Sequence, residues 1–133
     1  LIEGHVLNLF SGFARMPVKP NIIHLTGGLS HSKSWCQMIA DIFNCETVPV
    51  KGEGAALGAA THAAWVWKNE NGFSCNLSQL VSPFIIFEEG LRCKPDKKNV
   101  EIYQNLFLLY DALVNRIRGL EGPDPFELRK KLF

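Results

Sequence analysis

The stretch LTGGLSHSKSWCQMIADIF, residues 25–43, holds the side chains and spacings with the most chemical reach. A short apolar run, Ile22-Ile23-His24-Leu25, ends at Thr26. Gly27-Gly28 then break it, and a helical period begins. Two glycines let a backbone approach a ligand closely, because no Cβ stands in the way. The start of the helix that follows offers unpaired N–H groups and the positive end of the helix dipole. Strand, glycine turn and helix, in that order, are one way to hold the phosphates of a nucleotide. Taken alone the glycine pair reads as a plain tight turn, so the material on either side must decide.

Other polar residues read as structural. Gln37 and Asp41 lie four apart on one helix face and are expected to form a solvated face rather than a catalytic pair. Glu53 precedes a helix start, where a carboxylate favours the dipole. Gly54 and Gly58 read as packing residues that let another element come close. His31 is expected to face solvent rather than nucleotide, and His5, His24 and His62 to be core or surface histidines. The cysteines, Cys36, Cys45, Cys75 and Cys93, show no metal-pair spacing. Cys36 falls within an apolar helix and is expected to be reduced. The pattern suits a reducing compartment, which places the protein in the cytoplasm.

Composition sets outer limits. The chain has 133 residues, 47% hydrophobic and 20% charged, enough for one ordinary core. A net charge of +1 gives no reason to expect nucleic acid or an anionic membrane as partner. The basic run Arg129-Lys130-Lys131 reads as part of a solvated tail. Ala55 to Val66, the most apolar helical stretch, is too short to span a bilayer. The chain opens at Leu1-Ile2-Glu3-Gly4 in what already has a helical pattern, without an initiator Met, and so reads as part of a longer protein.

The elements that position these residues follow from periodicity. Residues 1–15 are predicted helical, ended by Pro17 and Pro20. Residues 22–26 are predicted to be a buried strand. Ser30 or Ser32 caps the next helix, whose core face is Trp35, Met38, Ile39, Ile42 and Phe43, and Asn44 stops it. Thr47 to Val50 read as a short strand, with Pro49 at its edge or end. A helix follows through the alanine-rich run, then a loop over 69–82. Phe84 to Phe87 are predicted to form another strand. Val100, Tyr103, Leu106, Phe107, Tyr110, Leu113, Val114 and Ile117 make a strongly amphipathic helix. Gly119 to Phe133 read as a surface tail. Strand and helix alternate, which predicts an α/β fold.

Three features stand in order: Glu3-Gly4 in a helix, Thr26-Gly27-Gly28 before a second helix, and Glu53-Gly54-Ala55-Ala56-Leu57-Gly58-Ala59-Ala60 opening a third. With Ser32, Trp35, Gln37, Ala40 and Asp41 between them, and Pro95-Asp96, Tyr103 and Tyr110 further on, residues 1–117 resemble the C-terminal part of the FGGY family of carbohydrate kinases. Within it they resemble the branch that acts on ketopentoses, xylulose first among them.

The resemblance implies an α/β C-terminal lobe segment of an actin-like ATPase (ribonuclease H-like) fold, residues 1–117, with 118–133 as a tail. It implies ATP and Mg²⁺ as cofactors and a sugar substrate held mostly by an N-terminal lobe of the same protein, and it allows a homodimer. It places Gly27, Gly28, Leu29 and Ser32 against the nucleotide. Leu29 stands where the family has a third glycine, and its side chain would narrow the room. No catalytic base is expected in this stretch, because the family's aspartate precedes it, so the chain alone is expected to be inactive. The alternative is a non-catalytic regulatory or binding module that keeps the lobe without turnover.

Overall fold

A computed structural model of the chain describes residues 2–52 and 54–132. The order is α1 (Ile2–Phe13), β1 (Ile22–Leu25), α2 (Lys33–Phe43), β2 (Glu46–Pro49), α3 (Gly54–Glu70), α4 (Leu77–Val81), α5 (Lys97–Ile117) and α6 (Pro125–Leu132). A 3₁₀ turn, Gly28–His31, joins β1 to α2. The fold is mixed α/β, as the alternation of periods predicts.

The core lies where α1, α2 and α5 meet beside the strands. Val6 and Leu7 of α1 and Ile39 and Ile42 of α2 are buried together. Trp35, Met38 and Phe43, on the predicted core face of α2, pack around them with Leu106, Phe107 and Tyr110 of α5. Phe10 joins the three helices: its ring meets Phe43 edge-on at 5.2 Å and Phe107 edge-on at 4.9 Å. Such edge-to-face pairs add about 0.5–1.5 kcal/mol each beyond burial. Tyr103 Oη donates to Glu3 Oε1 at 3.1 Å, so the Glu-Gly pair of α1 serves helix packing here.

β1 and β2 pair in parallel, from Ile22 with Glu46 to Leu25 with Pro49. The far edge of β2 is covered. Thr47 and Cys93 exchange both backbone hydrogen bonds at 2.9 Å, and Glu88 N donates to Pro49 O at 2.9 Å. Pro49 has no N–H of its own to give to that edge. The segment alongside therefore makes isolated bridges, Val50 with Phe87 and Thr47 with Cys93, and the strand expected over 84–87 is absent. Ser82–Phe84 form a 3₁₀ turn instead, with Pro83 setting its start.

β1 is not the buried strand expected. Its residues alternate exposed and half-buried, because among the described residues only β2 pairs with it and one of its faces is open. Val50 N donates to Leu25 O at 2.8 Å, so Leu25 and Ile23 turn their backbone groups toward β2. By the two-residue period, those of Ile22 and His24 point outward.

Two other segments hold more structure than the sequence suggests. In 69–82, Asn76 Oδ1 accepts from Ser78 N at 2.8 Å and starts the single turn of α4. One helical turn is too short to show a period. The expected tail contains α6, where Asp124 Oδ1 accepts from Phe126 N at 2.8 Å and Glu127 N at 3.2 Å. Pro125 then sits at the first helical position, where proline is favoured. Arg116 and Asp124, 3.1 Å apart, tie α6 to α5.

Asp41 overturns the expectation of a solvated face. It is 2% exposed. Its Oδ1 accepts from Gln37 Nε2 and from Asp96 N, both at 2.8 Å, and its Oδ2 accepts from Asn99 Nδ2 at 2.9 Å. Asp96 in turn caps α5, accepting from Lys98 N and Asn99 N. One buried carboxylate thus fixes where α5 begins against α2. Asp41→Ala removes three hydrogen bonds whose donors sit on half-buried or exposed residues, so each loss costs about 0.5–1.5 kcal/mol. Chemical denaturation of Asp41→Ala is expected to show a loss of about 2–4 kcal/mol, with no loss for Ser34→Ala on the exposed side of α2.

Gly54 and Gly58 part ways. A Cβ on Gly54 would lie 2.7 Å from Thr26 Oγ1, so that glycine is a close contact as expected. A Cβ on Gly58 meets nothing within 4 Å, so Gly58 is not a packing residue in this chain. The alanine-rich faces of α3 are open, and Thr61 is its one buried residue among those described. Gly58→Ala is expected to raise stability by about 0.5–1 kcal/mol through helix propensity alone. A melting midpoint that falls would show a neighbour at that position.

Candidate functional site

Parallel pairing makes β1 and β2 end at the same edge of the sheet. The chain leaves β1 through Thr26-Gly27-Gly28 and leaves β2 through a second glycine turn, with Gly52 at φ +83°. Between them lies a cleft of about 400 Å³ lined by Thr26, Gly27, Gly28, His31, Gly52, Gly54 and Ala55. In open α/β sheets ligands bind in the crevice outside the carboxyl ends of the strands.

The wall from β1 is held rigidly. Gly27 has φ 91° and ψ 178°, a region that only glycine occupies without strain. Its carbonyl accepts from Ser30 N at 3.0 Å and from Ser30 Oγ at 2.6 Å. Ser30 is buried, and Cys36 Sγ donates to its carbonyl at 3.2 Å, so the turn is anchored to the core of α2. Ser32 is the residue that caps α2: its Oγ accepts from Trp35 N at 3.4 Å. The opposite wall is the start of α3. The N–H groups of its first turn have no partner within the helix, and the dipole there is positive.

Of the residues expected at the nucleotide, Gly27 and Gly28 line the cleft, whereas Leu29 and Ser32 do not. Leu29 is 60% exposed outside the lining, so it takes none of the room that a third glycine would leave. The Ser32 hydroxyl is spent on the helix cap. His31 is exposed, as expected, and it also lines the cleft. Thr26, Gly52 and Ala55, which were not among the residues expected at the nucleotide, line it too. The signal for that wall was present, since Gly52 and Gly54 follow a strand and precede a helix just as Gly27-Gly28 do. Glu53, between them, lies outside the described residues.

The cleft offers little chemistry of its own. Among the described residues no group of three or more His, Cys, Asp or Glu could hold a metal ion. The four cysteines are free thiols. Burial, reinforced by the neighbouring Cys93 thiol, pushes the Cys36 thiol up from its ordinary value. Burial does the same to Cys93. Both stay protonated at neutral pH and are poor nucleophiles. No helix among the described residues is long and apolar enough to cross a membrane.

The FGGY family of carbohydrate kinases, C-terminal domain, matches residues 1–67, and the chain belongs to this family. Its similarity to individual members is spread more widely. It is 37% identical over 99 residues to the xylulose kinase of Haemophilus influenzae, covering 74% of this chain and 19% of that protein. It is 34% identical over 124 residues to the xylulose kinase of Bacillus subtilis, covering 90% and 24%. Among solved structures, a ligand-bound xylulose kinase from Lactobacillus acidophilus superposes with a TM-score of 0.73 at 29% identity, over 88% of this chain and 23% of that one. A gluconate kinase from the same organism gives 0.71 at 30% identity, over 87% and 23%. The chain therefore spans about a fifth to a quarter of the length of the proteins it matches.

The two walls of the cleft touch through Gly54 and Thr26. Gly54→Ala is expected to cost about 1–3 kcal/mol by overpacking. The same change on a Thr26→Ala background is expected to cost about 1 kcal/mol less, because the clashing hydroxyl is gone. Equal costs in the two backgrounds, measured by denaturation, would place the strain elsewhere.

Proposed function

We propose that this chain is the part of an ATP-dependent sugar kinase that closes one side of the nucleotide site, within the C-terminal lobe of an actin-like ATPase (ribonuclease H-like) fold. The observation that carries this reading is the cleft between two glycine turns at the carboxyl ends of paired parallel strands. Gly28 lines it. A Cβ there meets no protein atom within 4 Å, so the space in front of it is free for a ligand. The whole enzyme would move the terminal phosphoryl group of MgATP to a hydroxyl of a ketopentose, with xylulose the first candidate.

In phosphoryl transfer the protein works mainly by positioning and by charge stabilisation, and a bound Mg²⁺ would supply part of that positive charge. The described residues supply no metal-ligand set, so Mg²⁺ would be held by the phosphates and by other parts of the enzyme. Residues of this chain orient the nucleotide: the Gly27-Gly28 backbone on one side, and the first turn of α3 on the other. The catalytic base and the sugar contacts belong to the N-terminal part of such a kinase. The outward backbone groups of Ile22 and His24 and the open alanine faces of α3 are the surfaces for that part to cover. This chain alone is then without turnover.

In the kinase polypeptide that carries this chain, Gly28→Val is expected to raise KM for ATP by about tenfold or more, equivalent to ~1.4 kcal/mol of binding. KM for the sugar is expected to stay within about twofold, a change of ~0.4 kcal/mol. Steady-state kinetics with each substrate varied in turn checks this. A rise confined to the sugar would contradict the assignment, and full ATP binding without phosphoryl transfer by the parent would favour a regulatory module.

A further inference from the structure

We propose that His31 is the side-chain contact for the phosphate chain of the bound nucleotide, an inference that rests on the cleft being a nucleotide site. The described lining of the cleft is otherwise glycine, alanine and one threonine hydroxyl. Of these side chains only the imidazole has nitrogen donors, and only the imidazole can carry positive charge. Anionic oxygens accept charge-assisted hydrogen bonds of about twice ordinary strength, so such a donor matters more to a phosphate than to a base or a ribose. The rest of the cleft favours the same ligand chemistry, since the start of α3 presents a positive dipole end.

Two other cations lie near the lining residues in sequence, and both are engaged elsewhere: Lys51 Nζ lies 3.5 Å from Glu88 Oε1, and Lys33 meets two carbonyls. Lys33 Nζ donates to Gly90 O at 3.1 Å and to Arg92 O at 3.4 Å, tying the start of α2 to the segment beside β2. His31 also has firm support. It closes the Gly28–His31 turn, where Ser32 N donates to Leu29 O at 3.1 Å, and Ser30 locks that turn to Gly27. An exposed ring on a fixed turn loses little freedom on meeting its ligand.

The test is calorimetric titration of ATP and of adenosine into the kinase polypeptide that carries this chain and its variants His31→Phe, His31→Lys and Gly28→Val. His31→Phe keeps a ring without donors and is expected to weaken ATP about tenfold, leaving adenosine unchanged. His31→Lys restores a cationic donor and is expected to recover most of the ATP affinity, which a merely structural role for the ring would not do. Unchanged ATP affinity in His31→Phe, beside a loss in Gly28→Val, overturns this inference and leaves the nucleotide site standing. Equal losses for ATP and adenosine in His31→Phe also overturn it, because the contact would then be to the nucleoside. No ATP binding by any form, or no change in any variant, overturns the nucleotide reading as well.

Discussion

The parallel pairing of β1 and β2 is the constraint on which the site depends. Antiparallel strands would send their following loops to opposite ends of the sheet. Parallel strands send both to one end, and a helix must cross back between them. Here that helix is α2, and its burial against α1 and α5 holds the strand pair in place. The two glycine turns then face each other across about 400 Å³. Their separation is set by the contact of Gly54 with Thr26, the residue at which β1 gives way to the first turn.

The helical layer is held by two kinds of interaction. Apolar burial around Phe10, Ile39 and Ile42 supplies most of the stabilisation and is tolerant of small shifts. The Asp41 carboxylate supplies geometry. It is buried, and its partners come from its own helix, from the residue capping α5 and from the first turn of α5. Such a group stabilises only while its partners are complete. It therefore ties the start of α5 to α2. The same division holds at the cleft, where Ser30, Cys36 and Ser32 use their polar groups on the turn and the cap. That leaves Gly27 and Gly28 open toward the ligand space.

Legibility in the sequence followed the range of each interaction. Local signals were read correctly: a serine cap at Ser30 or Ser32, which the fold gives to Ser32, the stop at Asn44, left-handed with φ 46°, and the core face of α2. The long amphipathic helix was also found, because its period repeats over many turns. Asp41 was misread because its partners lie 55 and 58 residues away, and spacing on one helix says nothing of a neighbour brought by folding. Gly58 was misread because small residues signal a permitted close approach, not an actual one. The strand expected over 84–87 failed on Pro49, a residue in a different segment. At the site, Gly27 and Gly28 were legible as a break between strand and helix. That Leu29 turns away while His31 turns in depends on the direction of a four-residue turn, which residue types alone do not encode.

The account stands on a nucleotide meeting both glycine turns at once. Amide shift mapping of the isotopically labelled chain during an ATP titration tests that directly. The account predicts the largest shifts in residues 26–31 and in 52–55, moving together along one binding curve. Shifts confined to the groove between α2 and α5, around Lys33, Gln37 and Tyr103, or shifts in one glycine turn without the other, would contradict it.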